Sequence, residues 1–61
     1  MNCDWIFVRQ DRSREAVTLK ETALPQLGDG KIHKNIGYEV VLVVTNRVAQ
    51  PNPTVVAFEF V

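Results

Sequence analysis

Between Ile36 and Asn46 the chain reads Ile-Gly-Tyr-Glu-Val-Val-Leu-Val-Val-Thr-Asn, and this run narrows the folds open to it more than any other. Successive side chains of a strand point to opposite faces. Tyr38, Val40, Leu42 and Val44 are therefore expected on one face, with Glu39, Val41, Val43 and Thr45 on the other. Three aliphatics on one side and two valines on the other are too apolar for a sheet with one wet face, so both faces call for cover. Thr54 to Val61 repeats the pattern, with Val56, Phe58 and Phe60 on one side and Val55, Ala57 and Val61 on the other.

The chain has only 61 residues with which to supply that cover. A domain of this size buries about 60% of its unfolded surface, and its core rarely nets more than about 3–5 kcal/mol. Cys3 is the only cysteine, which excludes an internal disulfide and a Cys-rich zinc site. A bound partner or self-association is the staple that remains.

The other segments are short and divided by turn formers. Cys3 to Gln10 contains the aromatic and β-branched run Trp5-Ile6-Phe7-Val8 and reads as a strand leading into the polar turn Asp11 to Arg14. Glu15 to Leu24 fits two templates. As a strand behind a four-residue loop it sets Val8 opposite Val17 and Ile6 opposite Leu19. As a helix it gathers Ala16, Val17, Leu19, Ala23 and Leu24 on one face, with Ser13 as N-cap and Pro25 past its end. The strand is preferred because the hairpin sets apolar residues directly opposite one another. Pro25 to Asn35, with Gly28-Asp29-Gly30, reads as a loop, and Arg47 to Pro53 breaks any ladder because proline has no amide hydrogen. The expected fold is all-β: one domain over residues 1–61, an antiparallel meander or partly closed barrel of about four strands. The alternative is α+β, one helix over a three-stranded antiparallel sheet.

Seven Lys and Arg balance seven Asp and Glu, which removes the usual electrostatic case for nucleic acid or an anionic membrane. Met1 to Trp5 lacks the cationic and apolar regions of a leader, and the longest aliphatic run, Val40 to Val44, is far too short to span a bilayer. Proline blocks the triplet Asn52-Pro53-Thr54 as a glycosylation site, and a lone thiol suits a reducing compartment. The expected location is cytoplasmic.

Chemistry-bearing residues are sparse. Glu39 and Glu59 are the only carboxylates inside confident strands, but whether they share a face turns on a one-residue shift of register. His33 lies between Lys31 and Lys34, a poor setting for a metal, and reads as a solvated loop histidine. Ser13, the only serine, has no nucleophile elbow, and Gly28-Asp29-Gly30 lacks the remainder of a phosphate loop. No enzyme, metal or cofactor is expected.

The reading that follows is a non-catalytic protein-interaction or regulatory module. It binds a partner protein or itself through an apolar sheet face or strand edge, with a homodimer built on Val40, Leu42, Val44, Val55 and Val61. The alternative is a small β-barrel that binds nucleic acid through Trp5, Arg9, Arg12, Arg14, Lys31 and Lys34. Against it stand the interleaved carboxylates Asp4, Asp11, Glu15, Glu21 and Asp29.

Overall fold

The computed structural model describes residues 1–45 and 51–61. Five strands carry the fold: β1 Asn2–Val8, β2 Arg14–Lys20, β3 Gly30–His33, β4 Ile36–Val44 and β5 Thr54–Glu59. They form one sheet in the order β2-β1-β5-β4-β3, curled into a half-barrel. The fold is all-β, and no helix occurs among the described residues. Glu15 to Leu24 is thus strand β2 followed by a connection, not a helix.

The ladder differs from a pure antiparallel meander in one place. β5 lies between β1 and β4, antiparallel to β4 but parallel to β1, with Asp4 opposite Thr54 and Val8 opposite Phe58. The chain reaches this arrangement because β1–β2 and β3–β4 are hairpins at the two sides of the sheet, and β5 closes the gap between them.

Local chemistry explains the turns. The first hairpin has a five-residue loop, from Arg9 to Ser13, in which Asp11 Oδ1 accepts from both the Ser13 amide and the Ser13 hydroxyl at 2.9 and 2.6 Å. These bonds favour the ionised carboxylate and lower the Asp11 pKa. The loop moves the register: Trp5 pairs with Val17 and Cys3 with Leu19, not Val8 with Val17 and Ile6 with Leu19. The second hairpin was expected as loop. Its two turn residues, Lys34 and Asn35, have φ of 53° and 67°, the left-handed pair that a tight two-residue hairpin requires, so Gly30–His33 pairs with β4. Gly28, at φ 88°, bends the chain ahead of β3, and its amide donates to the Val40 carbonyl at 2.8 Å.

The inner face of the curl holds the core: Cys3, Trp5, Phe7, Tyr38, Val40, Val55 and Ala57, all buried, with Val17, Leu19, Ile36 and Val43 packed around them. A bulge between Val40 and Leu42 makes Val41 an extra residue, so Val40 and Val43 both face inward while Leu42 turns out. The strict alternation expected along β4 holds only as far as Val40. Trp5, Phe7 and His33 form a stack, with ring centroids 5.1 and 4.4 Å apart and nearly parallel planes. His33 is therefore a half-buried member of β3, not a solvated loop residue.

The two edge strands face each other across the mouth of the curl. Glu15 on β2 meets Lys34 at 2.9 Å and His33 at 3.4 Å, while Glu21 meets Lys31 at 2.8 Å. Inward-pointing charges on an edge strand oppose pairing with a foreign edge.

Candidate functional site

The inner face is filled, and the groups it holds serve packing. Burial, followed by the nearby Glu21 charge, raises the Cys3 thiol pKa, which keeps it in the unreactive neutral form. Trp5 Nε1 and the Tyr38 hydroxyl have no hydrogen-bond partner among the described residues. No group of three His, Cys, Asp or Glu suited to a metal occurs among the described residues. A polar recess of about 140 Å3 beside Trp5 is spanned by the Glu21–Lys31 ion pair.

Glu39 and Glu59 lie on opposite faces. Glu39 is exposed on the outer side opposite Phe58, whereas Glu59 pairs with the inward-facing Tyr38, and its Oε1 accepts from the Gln10 amide. No carboxylate pair is assembled.

Of the residues expected at a nucleic-acid interface, the aromatic one is buried and three of the cations are held by carboxylates. Trp5 is only 2% exposed and cannot stack on a base. Arg9 is held by Glu15 at 2.8 Å, Lys31 by Glu21 and Lys34 by Glu15. Arg12 and Arg14 are exposed near the first hairpin turn, and Arg9 and Arg12 line a shallow recess there together with Val8, Phe58 and Glu59. Arg47 lies outside the described residues.

The outer face is different. The registers align it into rungs that cross four adjacent strands, β2, β1, β5 and β4. The first rung is Arg14–Val8–Phe58–Glu39, the second Ala16–Ile6–Val56–Leu42 and the third Thr18–Asp4–Thr54–Val44. Apolar residues fill the middle of the first two. Phe58 is 51% exposed and Leu42 50%, with Ile6, Val8 and Val56 half-buried between them. Beyond the rungs, Phe60 is 52% exposed over Gly37, where an added Cβ would lie 3.4 Å from the Phe60 ring. Shallow recesses of about 370 and 380 Å3 open on this face, one around Ile6, Ala16 and Thr18 and one around Val8 and Phe58.

Of the five residues expected at a dimer interface, the structure brings two onto this face, Leu42 and Val44. Val40 and Val55 are spent in the chain's own core, at 1% and 0% exposure, so neither is available to a partner. Val61 is fully exposed beyond the end of β5. Ile6, Val8, Val56 and Phe58 belong to the face and were not singled out. The signal for them was the hydrophobicity of alternate positions in both β1 and β5.

Among the described residues no helix is long and apolar enough to cross a membrane. Comparison with known protein families, with curated proteins and with solved structures finds no match to this chain.

Proposed function

We propose that this chain is a non-catalytic protein-interaction module whose working surface is the outer face of its half-barrel, taken up by a partner protein or by another copy. One observation carries the reading: an apolar band runs across β1, β5 and β4 on the side of the sheet that the described residues do not cover. The side chains of this band, Ile6, Val8, Val56, Phe58 and Leu42, are already about half covered, so a covering surface adds roughly half of the 1.5–3 kcal/mol each gains from full exposure to full burial, a sum still comparable with the ~3–5 kcal/mol net stability of a domain this size. The lone thiol supports a reducing, cytoplasmic setting for this module.

The test compares Leu42→Asp with Leu27→Asp. Leu42 is on the second rung; Leu27 is 69% exposed in the β2–β3 connection, outside the three rungs. Because both are exposed, circular dichroism should show the fold retained. Sedimentation and capture from native extract should then show association lost in Leu42→Asp and kept in Leu27→Asp. Identical behaviour of wild type and both variants would sink the reading.

A further inference from the structure

The half-barrel closes its last side without a backbone ladder. β2 and β3 end the sheet, and side chains alone join them across the mouth among the described residues. We infer that β3 is a flap over the inner aromatic wall, latched to the β2 edge by charge, that opens while the rest of the sheet stays folded.

An element opens below the free energy of global unfolding when it buries little apolar surface and few contacts hold it. β3 meets both conditions. The buried core cluster lies entirely on β1, β4 and β5, whereas β3 supplies the half-buried Lys31 and His33 and the exposed Gly30 and Ile32. Its ladder with β4 spans only the four pairs from Gly30–Glu39 to His33–Ile36. The connection ahead of it is anchored: Pro25 is buried, and the Val40 amide donates to the Asp29 carbonyl at 2.9 Å. The movable piece is therefore Gly30 to Asn35.

The charges of the latch are sorted by side. Lys31, His33 and Lys34 are all on the movable piece; Glu15 is in β2 and Glu21 directly follows it. Lys31 lies 2.8 Å from Glu21, and Lys34 and His33 lie 2.9 and 3.4 Å from Glu15. Lifting the flap breaks each of these contacts, and closing it restores them. The Glu21–Lys31 side chains are only 17% and 27% exposed, so water and salt screen their attraction less than that of an open surface pair. Beneath the latch the His33 ring stacks on Phe7 at 4.4 Å, and Lys31 Nζ lies 5.2 Å from the centre of the Trp5 ring. Opening thus uncovers one side of Phe7 and of Trp5.

The other edge does not move in its place. β2 pairs with β1 over seven residues, its Val17 and Leu19 pack against the core cluster, and the Asp11–Ser13 bonds tie its turn. The shorter and more polar edge gives way first.

The experiment is native-state amide hydrogen exchange of the full chain at neutral pH, read residue by residue in low urea, on wild type, Lys31→Gln, Lys34→Gln, Glu21→Gln and the double variant Glu21→Gln/Lys31→Gln. The probe is the His33 amide, because the residues flanking a two-residue turn form a hydrogen-bonded pair, here His33 with Ile36. In wild type it should exchange faster than the amides of β1 and β5 and with little dependence on urea, the mark of an opening that exposes little surface. Each single variant should speed it roughly two- to fivefold, and added salt should act in the same direction. The double variant should fall short of the product of its two singles, because both remove the same pair. The amides of β1 and β5 should remain protected in every variant, which shows that the sheet is still folded. A His33 amide that exchanges together with β1 and β5 at every urea concentration overturns the flap. One that exchanges early but is indifferent to all the charge variants and to salt overturns the latch.

Discussion

Glu15 is the busiest side chain among the described residues. It accepts from Arg9 at 2.8 Å and Lys34 at 2.9 Å and lies 3.4 Å from His33, tying the first hairpin and β2 to the far edge of the sheet. The hydrogen bond from Lys34, then that from His33, holds its carboxyl below the usual carboxylate range. A carboxyl whose folded pKa is depressed contributes stability that is fully present above its unfolded value and is lost as pH falls through its folded value. Glu15→Gln should therefore lower the urea midpoint at neutral pH, and the gap from wild type should close as pH drops below the ordinary carboxylate range. Trp5, the only tryptophan and buried, reports the transition by fluorescence. A gap that is constant from neutral pH to acid would show that these contacts contribute nothing through charge. That Glu15 and Glu21 would find their cations across the mouth was not legible in sequence, because β3 itself was hidden.

Strand β3 was hidden because its turn carries no familiar signature. A hairpin of two residues advertises itself when the pair is Asn-Gly or Asp-Gly; Lys34-Asn35 reaches the same backbone with two non-glycine residues. Asn tolerates positive φ better than most, whereas a β-branched residue there clashes with the following carbonyl. Asn35→Val is expected to cost about 1–2 kcal/mol, with Asn35→Gly near neutral. Chemical denaturation of the two variants checks this, and equal midpoints would contradict the turn assignment. Strands β1, β4 and β5 were legible because each combines β-branched or aromatic residues with flanking breakers, whereas β2 fitted strand and helix templates alike and only its pairing opposite β1 favoured the strand. The registers were not legible. A five-residue loop in place of four moved Val17 and Leu19 opposite Trp5 and Cys3, and the Val41 bulge divided the predicted face of β4, sending Val40 in and Leu42 out. An apolar outer side follows from too few residues for two apolar faces, while which valines lie on it depends on one extra residue: Val40 and Val55 are in the core and not on that side.

Across the whole molecule, the parallel pairing of β1 with β5 sets the order in time in which the structure can form. Asp4 and Thr54 are partners 50 positions apart (54 minus 4), so this ladder forms only after nearly the entire chain has been gathered. Until then each hairpin has an apolar inner face with nothing beside it, and neither half has a core of its own: Trp5 and Phe7 wait for Val55 and Ala57. Contacts so distant in sequence make closure entropy the main barrier, and small β-domains of this kind refold on a scale of roughly milliseconds to seconds. Stopped-flow fluorescence of Trp5, opposite Val55, should show its burial coinciding with the main refolding phase and not with a faster hairpin step. The same wait leaves the β1 edge unpaired until that ladder closes, open to the β5 of a neighbour. Exchange of that strand between copies is thus the characteristic hazard of this topology, and it grows with protein concentration during refolding.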